Sequence, residues 1–210
     1  MNKSILKSSV SILLLAISLF LSSCSKDDPK KEDTPELITK ATLVFTPSDG
    51  SAAVTVSATD PDGEGVKPLA VDGAINLAKG KTYVMTIELI NGLAKPTDPA
   101  YDVSEEVKEE GDEHQFYFAW TNNVFSSPSG NGNIDNPNDA MNYVGGTDSK
   151  DSNGRNLGLT TTWTASSAAG ATVSGTFRLL LKHQPGLKSA TSDSNTGETD
   201  LDLIFDISVQ

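Results

Sequence analysis

Histidine, cysteine and positive charge are scarce in this chain. Its 210 residues include one Cys and two His, and 16 Lys and Arg stand against 28 Asp and Glu. A single cysteine excludes an internal disulfide, and two histidines are too few for a histidine-rich metal tract. The formal net charge of -12 disfavours nucleic acid as a partner, because a phosphate backbone repels an acidic protein. The length suits one ordinary domain with appendages.

Long apolar runs are also missing. The most apolar stretch, Val10 to Leu21, is interrupted by serines, and it falls short of the roughly 20 apolar residues that a membrane-spanning helix needs. Lys3 and Lys7 precede it and small residues follow it, which is typical of a secretory signal peptide. We therefore predict a cleaved signal peptide over residues 1–23.

The only cysteine comes directly after this stretch. Leu21-Ser22-Ser23-Cys24 resembles the lipobox of bacterial lipoproteins, whose cysteine is lipid-modified and becomes the first residue of the mature chain. The resemblance implies that Cys24 carries at least two acyl chains, which suffices for stable membrane anchoring. Residues 24–36 are rich in Lys, Asp, Glu and Pro, and they are predicted to form a solvated tether.

The first residues of the tether indicate a location. Ser25-Lys26-Asp27-Asp28 is similar to the Lys/Asp-rich export signals of lipoproteins on the outer face of some Gram-negative outer membranes. The similarity implies an outer-membrane lipoprotein exposed on the cell surface, with a periplasm-facing orientation as the alternative.

Residues 37–210 are predicted to form one β-domain. Apolar residues occur in short runs rich in Thr, Val, Ile and aromatics, separated by turn residues, and no long stretch has helical periodicity. In the last run Leu201 and Leu203 alternate with Asp200 and Asp202, which indicates one buried and one solvated face. The pattern predicts an all-β fold, an immunoglobulin-like antiparallel β-sandwich of about eight or nine strands with one short helix.

Several local features are predicted within this domain. Pro47 to Gly50 has turn composition and predicts a hairpin. Tyr83 follows a Gly-containing turn and resembles the tyrosine corner of immunoglobulin-like domains. The short helix is predicted over Ser104 to Glu110, with its first residue as the N-cap. Segment 122–156 is predicted to be a long loop, in which Met141 to Val144 is the one candidate for a hidden strand.

The two histidines are the main candidates for a binding site. His114 and His183 each continue the apolar face of a strand at its rim. Glu110 and Asp112 lie four and two residues before His114, where a helix or a strand brings them beside it. We predict a transition-metal site, with zinc favoured, made of the two histidines with Glu110 or Asp112. The alternative is a solvated acidic face with two hydrogen-bonded core histidines.

This site depends on the topology. If the predicted strands simply alternate in direction, His114 and His183 lie at opposite ends of the sandwich. One additional strand, near Met141 to Val144, or an equivalent crossing brings them to the same end.

A second candidate site is the acidic loop Thr59 to Gly65. Its Asp60, Asp62 and Glu64 alternate as in loops that bind Ca²⁺. The alternative is a plain turn without an ion.

Catalytic motifs are missing from the sequence. There is no Gly-x-Ser-x-Gly elbow and no phosphate loop after a strand, and lipidation of Cys24 removes the only thiol. We therefore expect a binding protein and not an enzyme.

The chain as a whole resembles a group of small outer-membrane lipoproteins without an assigned activity. The resemblance is carried by Glu109 to Phe116, His183 to Pro185 and Gly197 to Asp200. Some of these proteins carry the label of the type 1 periplasmic-binding fold, but that fold needs two α/β lobes, and alternating helices are missing here.

Two functions follow as hypotheses. The first is capture of a divalent transition metal as an accessory to an outer-membrane transporter. The second is a structural or adhesive module that binds a surface glycan or a protein through segment 122–156.

Overall fold

The computed structural model describes residues 36–60, 69–168, 170 and 172–210. The predicted signal peptide, Cys24 and nearly all of the tether lie outside these residues, as do Asp62 and Glu64. No helix in the described ranges is long and apolar enough to cross a membrane.

Two β-sheets with a shared apolar core form an all-β sandwich, which confirms the predicted fold class. In the described part of the chain the elements are β1 (Lys40–Pro47), β2 (Val54–Thr59), β3 (Ala70–Asp72), β4 (Ile75–Leu77), β5 (Thr82–Ile90), α1 (Val103–Glu109), β6 (His114–Trp120), β7 (Phe125–Ser127), β8 (Thr160–Ala165), β9 (Val173–His183) and β10 (Glu198–Val209). The first sheet has the order β3-β2-β1-β5-β8-β7, and the second has the order β4-β10-β9-β6. All strand pairs are antiparallel except β4 with β10. The immunoglobulin-like label stays a prediction.

The centre of the sandwich is an aromatic cluster that joins the two sheets. Trp163 of β8 lies 4.7 to 5.4 Å, between ring centroids, from Phe118, Phe125, Phe177 and Trp120. These rings are nearly fully buried. Edge-to-face pairs of this kind add about 0.5 to 1.5 kcal/mol each beyond the burial of their area. The cluster therefore holds β6 and β9 of the second sheet firmly against the first sheet.

Two predicted local features are present. β1 and β2 form an antiparallel hairpin, with Gly50 in the turn at a φ of 78° that favours glycine. The Tyr83 hydroxyl accepts a hydrogen bond from the backbone N–H of Ala78 at 2.9 Å, as the tyrosine-corner resemblance implied.

The short helix differs from the prediction at its start. It spans Val103–Glu109, and its N-cap is Asp102, whose carboxylate accepts the backbone N–H of Glu105 at 3.3 Å. The predicted cap, Ser104, lies inside the first turn. Its hydroxyl bonds instead to the backbone of Leu89 on β5, at 2.6 Å from the N–H. Ser104 was predicted as the cap from local sequence, but its hydroxyl makes a tertiary hydrogen bond instead.

The strand hidden in segment 122–156 is also not where it was predicted. Residues 141–144 form no strand, whereas Phe125–Ser127 forms β7 at the edge of the first sheet. Phe125 is 3% exposed and packs on Trp163. Burial of this aromatic side chain, and not strand propensity along the loop, decides which piece of the segment pairs.

The rest of segment 122–156 covers the outer edge of β6. The Trp120 N–H donates to the carbonyl of Asn131, and the Ile134 N–H donates to the carbonyl of Phe118. Between them the Asn133 side chain accepts the Phe118 N–H at 2.9 Å. An uncovered edge would present unpaired backbone groups to other chains. This part of the segment is therefore a packed cover, and deleting it would expose β6.

Candidate metal centre

The fold places the two histidines side by side. β6 begins at His114, β9 ends at His183, and the antiparallel register pairs the two residues directly. Their rings stack with centroids 4.6 Å apart and planes 3° apart. His114 is fully buried and His183 is 7% exposed. The two histidines therefore lie at the same end of the sandwich, as the predicted metal site required. The additional strand that brings them together is β7 and not residues 141–144.

A carboxylate that sequence reasoning assigned to the solvated face joins them. The β9–β10 register pairs Lys182 with Thr199 and Leu181 with Leu201, which leaves Asp200 as the extra residue of a β-bulge. A bulge re-aims the side chain of the extra residue. The Asp200 side chain is 0% exposed, and its Oδ2 lies 3.5 Å from Nε2 of His114. The prediction of a solvated Asp200 is therefore wrong.

The hydrogen bonding of His114 determines which ring nitrogen is available. Its Nδ1 lies 3.2 Å from the backbone carbonyl of Glu110. Because a carbonyl only accepts, Nδ1 carries the proton, and in the neutral ring Nε2 has a free lone pair. A hydrogen bond from Nδ1 to a backbone carbonyl is the usual way in which proteins orient a metal-binding histidine.

Nε2 of His114 faces two carboxylates. It lies 3.5 Å from Oδ2 of Asp200 and 3.7 Å from Oε1 of Glu36. Among the described residues, neither Nε2 nor either carboxylate oxygen of Asp200 has a hydrogen-bond partner. Burying such groups without compensation costs several kcal/mol. A cation placed between them would turn this repulsion into attraction.

The spacing of these atoms suits a metal ion better than a shared proton. Ligands about 2.1 Å from a tetrahedral ion lie about 3.4 Å from one another. The distances of 3.5 and 3.7 Å from Nε2 of His114 are close to that value. Hydrogen bonds to carboxylates are shorter, at about 2.7 to 2.9 Å.

Two overlapping groups of possible ligands share His114. One group is His114, His183 and Asp200, and the other is Glu36, Glu110 and His114, and within each group the ligand atoms lie within 4.8 Å of one another. The side chain of Glu36 is 9% exposed. A donor set of imidazole nitrogens and carboxylate oxygens fits zinc and other divalent transition metals.

The remaining predicted ligand lies apart. Asp112 is exposed and belongs to neither group. Its neighbour Glu113 instead approaches the second histidine, with Oε2 3.8 Å from Nε2 of His183. Of the three predicted calcium ligands the structure describes only Asp60, which follows the end of β2, so a calcium site there stays a prediction.

A buried lysine supports the turn that leads into His114. Lys188 donates through Nζ to the carbonyls of Gly111 and His114, the latter at 2.7 Å, and it pairs with Asp151 at 3.2 Å. Burial lowers the pKa of Lys188 to about 8. Asp151 accepts the backbone N–H groups of Asn153 and Arg155 and the Nε of Arg155, so every member of this network is bonded.

Sequence reasoning missed Asp200 and Glu36. Strict alternation placed Asp200 on the outer face, and no sequence signal marks the bulge. Glu36 was assigned to the tether by its acidic surroundings.

Searches with this chain give no match. No protein-family model, no curated protein and no solved structure matches it.

Proposed function

We propose that this protein is a lipid-anchored outer-membrane protein that captures a divalent transition-metal ion, as an accessory to an uptake system. The observation that carries the proposal is Nε2 of His114, which is buried, has no hydrogen-bond partner among the described residues and faces the carboxylates of Asp200 and Glu36. Zinc is the favoured ion because two imidazoles and a carboxylate form a common zinc-binding set.

The charge of the site supports a cation of charge +2. Glu36, Glu110 and Asp200 supply three carboxylates around two histidines, so a divalent ion offsets most of the buried negative charge. The closed surroundings of His114 favour retention of the ion, because water has little access to the donor atoms.

Calorimetry on the full chain, purified in a non-ionic detergent, tests the proposal. We expect Zn²⁺ to bind with a dissociation constant below about 1 µM, and excess ion to raise the melting temperature. At a free concentration of 100 times the dissociation constant, the gain is about 2.7 kcal/mol.

Matched variants identify the ligands. His114→Ala and Asp200→Asn should each abolish tight binding. Asp206→Asn should leave it unchanged, because Asp206 lies on the same strand but is exposed on the opposite face. Equal binding by Asp200→Asn and Asp206→Asn would remove the proposed site.

The anchor is tested separately. Metabolic labelling with palmitate should mark the wild-type protein and leave Cys24→Ser unmarked. An unlabelled wild type would refute the anchor without touching the metal site.

A second candidate function is supported by a pocket on the outer face of β6. The pocket has a volume of about 340 Å³ and lies between segment 122–156 and the turn after β9, with Tyr117, Asn133, Asn138 and Thr191 among its lining residues. Neither Lys nor Arg lines it in the described part of the chain. Amides, hydroxyls and aromatic edges of this kind suit a neutral polar ligand such as a glycan.

Point substitutions test this candidate better than deletion, because deletion uncovers β6. Asn138→Ala should weaken binding on a glycan array, whereas Asn153→Ala, exposed in the same segment but outside the pocket, should not. Chelation of metal should leave glycan binding unchanged.

A further inference from the structure

An acidic groove lies beside the candidate metal centre. Its walls are the chain before α1 and α1 itself, and its volume is about 550 Å³. Six carboxylates line this acidic groove: Asp98, Asp102, Glu105, Glu106, Glu109 and Glu110. No Lys, Arg or His residue of the described chain lines it.

One residue belongs to both the groove and the metal centre. Glu110 lines the groove, and its carboxylate is in the ligand group with His114 and Glu36. Glu110 thus connects the groove to His114, whose buried Nε2 has no hydrogen-bond partner among the described residues.

The exposure of the side chains falls from the groove towards His114. Glu105 and Glu109 are exposed, Glu106 and Glu110 are half-buried, and His114 is fully buried. Glu106 and Glu110 are four residues apart, so they lie on one side of the end of the helix. A cation moving inward thus passes from hydrated carboxylates to donors that replace its water.

We propose that divalent cations load the buried site through the acidic groove, with Glu110 as the residue that passes the ion from the groove to His114. This inference rests on the proposed metal capture. A cleft lined by charges of one sign concentrates counter-ions and accelerates their association, in a manner that salt suppresses. The groove then controls the rate of loading, while His114 and Asp200 control retention.

Stopped-flow measurement of Zn²⁺ association, on the full chain in non-ionic detergent, tests the route. The double variant Glu105→Gln/Glu109→Gln removes two exposed groove charges. The matched control is Asp72→Asn/Asp206→Asn, which removes the same charge from exposed positions on strands outside the groove.

At low ionic strength we expect the groove variant to associate about fivefold more slowly than the control, with an unchanged dissociation rate. In 1 M salt, where charges are screened beyond about 3 Å, the two variants should differ by less than about twofold. Equal association rates at low salt would overturn the groove as the loading route. Absence of Zn²⁺ binding by the wild type would instead overturn the metal site itself, and the groove proposal with it.

Discussion

Two buried carboxylates, Asp151 and Asp200, differ in their hydrogen bonding: Asp200 faces the ring of His114, and Asp151 is connected to the His114 backbone through Lys188. Asp151 and Asp200 both have side chains that are 0% exposed. Asp151 accepts four hydrogen bonds or ion pairs, from Asn153, from Lys188 and twice from Arg155. Asp200 accepts no hydrogen bond from the described residues and faces the ring of His114.

The difference shows that the fold is able to satisfy a buried carboxylate at this end of the sandwich. Asp151 stabilises the structure through its partners, whereas Asp200 is held in place by a β-bulge and by the core around it. A buried polar group without a partner in a native structure calls for an explanation, and a bound ion is one such explanation. Asp151 is therefore a structural carboxylate, whereas Asp200 is the proposed metal ligand.

The largest expected effect on stability comes from breaking the hydrogen-bond network of Lys188 and Asp151. Lys188→Met leaves Asp151 with a weaker set of partners and leaves the carbonyls of Gly111 and His114 without a donor. We expect the free energy of unfolding to fall by about 3 to 5 kcal/mol, as for other broken buried ion pairs. Urea denaturation of the metal-free protein measures it, and a loss below about 1 kcal/mol would show that the network is not structural.

A substitution that strains the backbone near Asp200 should have the next largest effect on stability. Gly197 has a φ of 75°, and an added Cβ would lie 2.0 Å from the carbonyl of His183. Gly197→Ala must therefore shift the junction of β9 and β10 and with it the bulge. We expect a loss of about 2 to 3 kcal/mol together with weaker Zn²⁺ binding. Gly154→Ala is the control, since its φ is 77° and no atom lies within 4 Å of its Cβ, and it should keep normal binding.

Asp200→Asn and Asp151→Asn should change the stability of the metal-free protein in opposite directions. Removal of a carboxylate that has no hydrogen-bond partner should raise the unfolding free energy of the metal-free protein, by about 1 to 2 kcal/mol. The same change should abolish the Zn²⁺-dependent rise in melting temperature. Asp151→Asn should instead destabilise the protein, because its partners include a buried Lys188. A loss of stability in both variants would contradict the distinction between the two carboxylates.

The smallest effect is expected away from both carboxylates. Tyr83→Phe removes the acceptor of the Ala78 N–H and should cost about 1 kcal/mol. Zn²⁺ binding should be unchanged, because the proposed metal ligands lie outside β5. A calorimetric titration that showed weaker binding would mean that stability alone controls the site.

Parts of the site could be predicted from the sequence because they follow local periodicity. The inward parity of His114 and His183 comes from the alternation of strand side chains, and Glu110 was found by its spacing from His114. Asp200 was missed because one inserted residue reverses alternation beyond it, and a bulge depends on the partner strand. The position of β7 was missed for a similar reason, since Phe125 is selected by its contact with Trp163, some 40 residues away in the chain.

The order of apolar and polar residues by itself determined the class of this protein. Short alternating runs separated by turns bury enough surface only as stacked sheets. The lipid anchor stays a prediction from the resemblance of Leu21-Ser22-Ser23-Cys24 to a lipobox. The tertiary structure decided which ends of the strands meet, that Asp200 turns inward and that Glu36 closes on His114. The physical reason is that strand pairing is set by contacts between distant residues, and a metal site needs its donors close in space and not in sequence.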